Sequence, residues 1–138
     1  MTVFRDSDYL IRWGGEEFLA VARATSRENA SEIAERTRQS VSTQAFSIGK
    51  DARIDVTCSV GFAAFPFISA RSEALSWSET VAVADAALYR AKHDGRNTWA
   101  GFDSTGEDIT DQQVVDIVRA PESALQLKSL KSRSTGEP

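Results

Sequence analysis

The string Arg12-Trp13-Gly14-Gly15-Glu16-Glu17-Phe18-Leu19 sets paired glycines and paired carboxylates between apolar, strand-like flanks. Glycine lets a backbone turn tightly and approach a phosphate closely. Carboxylates beside such a turn can hold a divalent metal against a nucleotide. The chemistry this string suits is metal-assisted phosphoryl or nucleotidyl transfer. Strand alternation sends neighbouring side chains to opposite faces, so the turn must distort locally if Glu16 and Glu17 serve one site. Alone, Gly-Gly-Glu-Glu reads as a solvated hairpin tip; Arg12 and Phe18-Leu19 make the longer string more specific. A second string, Ala91-Lys92-His93-Asp94-Gly95-Arg96-Asn97, places a lysine near a helix end and an arginine just past a glycine. Both cations can reach a phosphate, although a cationic helix C-terminus is also favoured by the macrodipole alone. A third, Arg5-Asp6-Ser7-Asp8, pairs a guanidinium with a carboxylate three residues on, a pattern that surface charge produces just as readily.

The elements that must position these groups follow from periodicity. Asp8 to Trp13 and Glu17 to Ala22 read as two strands of a hairpin split at Gly14-Gly15. Thr25-Ser26-Arg27-Glu28 reads as a capping box, and Ala30, Ile33, Ala34, Thr37 and Val41 recur at helical spacing up to Ser42. Gly49-Lys50-Asp51 reads as a polar connection. Ile54, Val56, Cys58, Val60 and Phe62 alternate with Arg53, Asp55, Thr57, Ser59 and Gly61, which predicts one continuous strand. After Pro66 and a Ser-rich loop, Trp77 to Lys92 reads as a helix with Val81, Ala84 and Leu88 inward and Gly95 as its stop. Asn97 to Phe102 reads as a last strand, and 103–138 as a weakly structured tail, with a short helix near Asp111 to Arg119 and a disordered end. Trp13, Trp77 and Trp99 are expected at the core or its rim.

With these strings in order, the sequence resembles the GGDEF family of diguanylate cyclases in its GGEEF form, from Arg5 to Trp99. The second string fits the family's ALYxAKxxGRN segment at Ala87, Leu88, Tyr89, Ala91, Lys92, Gly95, Arg96 and Asn97, and Thr57-Cys58-Ser59-Val60-Gly61 resembles its T-x-S-x-G strand. The resemblance implies an α+β, ferredoxin-like, nucleotidyl-cyclase palm-type fold. It implies that Gly14 and Gly15 cradle the triphosphate and that Glu16 and Glu17 are the catalytic, metal-binding carboxylates, with Mg²⁺ (or Mn²⁺) as cofactor. Lys92 and Arg96 would contact phosphate. Arg5 and Asp8, with Arg36 on the first helix, would form an RxxD inhibitory site for cyclic di-GMP. Two GTP would condense to cyclic di-GMP and two pyrophosphates across a homodimer, under an upstream sensor domain. Gly61 is expected to permit close packing, and His93 is given no role.

The family's first strand carries a metal-ligating aspartate in a DxDxFK-like segment, and the helices after it carry an asparagine and an aspartate that read guanine. None of these precedes Arg5, so the expectation is a fragment or truncated product lacking the first strand and helices, with Met1 as an internal start and weak turnover alone. The alternatives are a catalytically silent cyclic di-GMP-binding module, or a fragment without independent function that swaps strands with its own copy. Composition sets outer bounds. At 138 residues, 41% hydrophobic and 26% charged, the chain suits one globular domain. A net charge of -4 and a pI near 5.0 argue against nucleic acid as a partner. The single Cys58 excludes an internal disulfide and reads as a buried, unreactive thiol. With no apolar run long enough to span a bilayer, the expected location is cytoplasmic, the parent being open to membrane anchoring through an upstream region.

Overall fold

The computed structural model describes residues 2–50, 52–104, 108–126 and 130–135, a mixed α/β chain with small sheets. β1 (Tyr9–Gly14) and β2 (Glu17–Val21) form an antiparallel hairpin in its own sheet, as the branched and aromatic runs around Gly14-Gly15 predict. α1 (Ala30–Ser42) follows a single 3-10 turn at Arg27–Asn29. The Thr25–Glu28 capping box does not form: the helix starts later, neither Ser26 nor Asn29 caps it with a side chain, and the Thr25 hydroxyl donates to the Arg23 carbonyl.

The continuous strand expected from Ile54 to Phe62 is divided. Ala52–Asp55 (β4) pairs antiparallel with Ala45–Ile48 (β3), so the expected polar connection falls between the strands of a second hairpin, with Gly49 and Lys50 in its turn and Asp51 outside the described residues. Val60–Ala63 (β5) pairs parallel with Trp99–Ser104 (β6). Alternation alone did not reveal this, because a strand needs a partner for its backbone groups. The β3 ladder ends at Asp55, the β6 ladder begins at Val60, and no strand pairs with the segment between among the described residues.

α2 (Trp77–His93) packs across β5 and β6, its start fixed by a capping box in which Ser76 and Glu79 satisfy one another's backbone N–H. Its deepest face is Thr80, Val83, Ala87 and Ala91, not Val81, Ala84 and Leu88. Ala84 and Leu88 instead bring their backbone onto Gly61 of β5, where any Cβ would overlap the Leu88 amide and the Ala84 carbonyl. Close packing at Gly61 is thus as the sequence suggested.

The stretch expected as a weakly structured tail carries α3 (Asp111–Arg119), α4 (Pro121–Gln126) and β7 (Leu130–Ser134), the last pairing antiparallel with β6. Ile109, Ile117 and Ala124 are buried with Phe102 and Val83 in the core. Few but well-placed apolar residues, together with a Thr110–Gln113 capping box, overcome the polar composition. No described helix is long and apolar enough to cross a membrane.

Candidate functional site

The local distortion required at the diacid turn is present: the β1–β2 register shifts between Arg12 and Gly14, and Gly15 takes a left-handed φ of 55°. The Arg12 guanidinium forks onto the Gly15 carbonyl, Nε at 3.1 Å and Nη2 at 2.9 Å, and so pins the turn from the strand side. Glu16 sits exposed in the turn, and Glu17 begins β2 opposite Gly14.

The second string is held at the far end of α2. Gly95, Arg96 and Asn97 all have positive φ, of 106°, 61° and 47°. Two successive non-glycine residues in that region are uncommon and need outside support. Support comes from the Arg96 amide, which donates to the Ala91 carbonyl at 3.2 Å, and from Arg38 Nη1, which donates to Asn97 Oδ1 at 3.0 Å. Arg38 is itself clamped by both oxygens of Glu35, at 2.9 and 2.7 Å, while Trp99 Nε1 donates to Glu35 Oε2 at 3.1 Å. The guanidinium, aided by Gln39 and Trp99, holds the Glu35 carboxyl below the usual range against the effect of burial. Glu35 and Arg38 were not singled out in the sequence; their three-residue spacing on a helix was the available signal.

The fold brings the two strings together. Lys92 Nζ donates to Glu17 Oε1 at 2.8 Å, linking α2 to the hairpin across 75 residues of sequence. Tyr89, Lys92, His93 and Arg96 line one open concavity of about 400 Å³, so Lys92 and Arg96 share a surface. The Tyr89 and His93 rings pack at 5.7 Å there, which gives His93 a place on the wall. The turn carboxylates have the hard-oxygen chemistry that Mg²⁺ or Mn²⁺ takes. Among the described residues, no group of three or more His, Cys, Asp or Glu side chains is placed to hold a metal. An ion held there would take oxygen from the turn carboxylates and complete its shell with other oxygen donors.

Arg5 and Asp8 form a closed turn before β1. Asp8 Oδ2 accepts the Arg5 amide at 2.8 Å, Oδ1 accepts the Arg23 amide at 2.9 Å, and the Asp8 amide donates to the Arg5 carbonyl. These backbone bonds, Arg5 first, hold the Asp8 carboxyl below its ordinary value. At about 3.3 Å per residue, the turn lies roughly 20 Å along the hairpin from Gly14. Arg36 lies half-buried on α1, and among the described residues no hydrogen bond or ion pair joins it to Arg5 or Asp8. Cys58 is half-buried and its thiol is pushed up by desolvation, in keeping with an unreactive side chain. Trp13 is 61% and Trp77 44% exposed, so neither is a core residue; Trp99 sits at the rim.

The sequence has relatives among known proteins. The sequence pattern of the family described as "Diguanylate cyclase, GGDEF domain" matches residues 1–98. Diguanylate cyclase A of Treponema denticola is 38% identical over 94 residues, covering 67% of this chain and 24% of that protein. Diguanylate cyclase DgcP of Pseudomonas aeruginosa is 37% identical over 93 residues, 67% of this chain and 13% of its own length. Diguanylate cyclase DosC of Escherichia coli is 33% identical over 93 residues, 67% of this chain and 19% of its own length. The chain thus spans a quarter or less of the relatives it matches. With the family pattern running through both strings of the site, the chain belongs to the GGDEF-domain family.

Proposed function

We propose that this chain carries the phosphate and metal side of a diguanylate cyclase site, which condenses two GTP to cyclic di-GMP and two pyrophosphates. The observation that carries this reading is the Lys92–Glu17 contact at 2.8 Å, which unites the diacid turn with the cationic end of α2. In this reading Gly14 and Gly15 leave room for the triphosphate, and Arg12 fixes the turn they make. Lys92 and Arg96 neutralise phosphate from the helix side. Glu16 and Glu17 would hold the divalent ion, and Glu16, exposed in the turn, would help take the proton of the attacking 3′-hydroxyl. Mg²⁺ (or Mn²⁺), when bound, lowers the pKa of that hydroxyl and offsets charge on the phosphate oxygens.

Each domain would present one GTP to the other, so catalysis would need a homodimer, controlled in the parent by a sensor domain. The family resemblance would give the domain a palm-type fold, with a further strand between the first hairpin and β5; among the described residues β5 pairs on one side only, with β6. The domain proper would run over residues 1–102 and act in the cytoplasm, where GTP is available. Arg5 and Asp8, with Arg36, would form a product-inhibition site for cyclic di-GMP. Asp8 keeps lone pairs beyond the two that its backbone partners use.

The test is GTP turnover and GTP binding by the full chain with Mg²⁺. GTP binding lost with Arg96→Ala, and any cyclic di-GMP formation lost with Glu16→Ala, are the expected results. Weak turnover is expected, because among the described residues no group of three or more His, Cys, Asp or Glu side chains is placed to hold a metal. That same observation favours a second reading, a silent cyclic di-GMP-binding module. Tight cyclic di-GMP binding, lost with Arg5→Ala and unaccompanied by GTP binding, would establish it instead.

A further inference from the structure

The roles given to Lys92 and Glu17 compete for the same atoms. Lys92 is to neutralise phosphate and Glu17 to hold a divalent ion, yet the ammonium already sits 2.8 Å from the carboxylate oxygen. We propose that Lys92 is a placeholder: it holds Glu17 until a triphosphate draws the ammonium away, and the carboxylate is then released to the divalent ion that the triphosphate brings. This inference rests on the functional reading above and adds an order to it.

The geometry suits an exchange. The pair is partly open, its side chains 36% and 42% exposed, so solvent and ligand both reach it and its net strength is modest. Lysine is a point charge with three donors on a flexible stem, so it can turn from one anion to another without moving α2. Its other neighbours in the concavity are Arg96, Tyr89 and His93, so a phosphate seated by Arg96 lies within reach of that stem. Glu17 stays where it is when the ammonium leaves, because its backbone is registered against Gly14 and the turn is pinned by Arg12. Without nucleotide the metal meets a neutralised Glu17, and without metal the nucleotide meets an occupied Lys92. Each ligand therefore favours the other, and by linkage the favour is equal in both directions.

The test uses the full chain and separates the ligands. Mn²⁺ alone is followed by the paramagnetic resonance of the free ion, and GTP alone by calorimetry in EDTA. Lys92→Met is expected to tighten Mn²⁺ binding about two- to five-fold, the range of an exposed ion pair. Arg96→Met, which removes the same charge nearby, is expected to tighten it less. In EDTA, Glu17→Gln is expected to tighten GTP binding by a similar factor, and Glu16→Gln to do so less. Lys92→Arg, which keeps a cation on Glu17, should bind Mn²⁺ like the parent. Equal effects from the paired and control variants would mean bulk charge alone, and would overturn the exchange. If the parent binds no GTP with or without metal, the cyclase reading fails, and the Mn²⁺ comparison alone then decides whether Lys92 masks Glu17.

Discussion

Arg12 illustrates what a single residue contributes here. Its guanidinium forms two hydrogen bonds to the Gly15 carbonyl across an exposed turn. Arg12→Met should leave the fold intact and loosen the turn, with amide exchange at Glu16 and Glu17 faster and GTP affinity lower by about two- to five-fold, the range for an exposed charged contact. Unchanged exchange at both amides would show that the fork does not hold the turn. Asp8 gives a pH-dependent prediction. Backbone N–H groups of Arg5 and Arg23 lower its pKa from 3.8 in the folded chain. A depressed carboxyl contributes stability that is complete above its unfolded value and is lost as pH falls through the folded value. The Arg5 and Arg23 amide resonances should thus titrate together below pH 3.8, and Asp8→Asn should abolish that titration. The chemistry-bearing residues were readable because their types and local spacing are unusual. Their contacts were not: nothing local joins Lys92 to a glutamate 75 positions earlier, or Arg38 to an asparagine 59 positions later.

Among the elements, α2 was readable nearly to the residue, since its length and Gly95 stop are local signals. Which side of α2 faces inward was readable only in part: Ala84 and Leu88 do meet β5, but the deepest burial falls at Thr80, Val83, Ala87 and Ala91, because small residues dominate the helix and the choice is made by what lies beneath. That choice is made at Gly61, where the backbone of Ala84 and Leu88 comes too close for any side chain. Gly61→Ala should push the helix off β5 and cost about 1–3 kcal/mol, the penalty for overpacking. Chemical unfolding measures it, and a change under about 0.5 kcal/mol would mean that the two elements separate more easily than the contact implies. The α1 network makes a parallel case. Glu35→Ala removes the acceptor for Arg38, Gln39 and Trp99 at once. It should cost about 1–2 kcal/mol, given bonds to a charge that solvent partly screens. It should also free Arg38 from Asn97, with weaker GTP binding as the sign that the Gly95–Asn97 turn has been disturbed.

On the scale of the whole molecule, the core does not lie under the motif-bearing hairpin. Leu10 and Phe18 of β1–β2 are each 62% exposed, whereas Val83, Phe102, Ile117 and Ala124, all later in the sequence, are fully buried. α3, α4 and β7 are therefore part of what lets α2 hold Lys92 in place, since the two helices pack on α2 and β7 pairs with β6. The polar composition of the segment after Ser104 hid this, because three apolar anchors in a stretch rich in Asp, Gln and Ser do not read as a core element. Ile117→Ala in the full chain should cost about 2–5 kcal/mol, the range for emptying a buried aliphatic site. A chain ended after Ser104 should lose more, since β6 also gives up its β7 ladder. If the segment supports the site, the loss reaches function through α2: Ile117→Ala should speed amide exchange along Thr80 to Ala91 while leaving β1–β2 exchange, already fast for an exposed two-stranded hairpin, little changed. Equal acceleration in the hairpin and in α2 would show instead that the chain opens as one unit, with the hairpin's stability drawn from the same core.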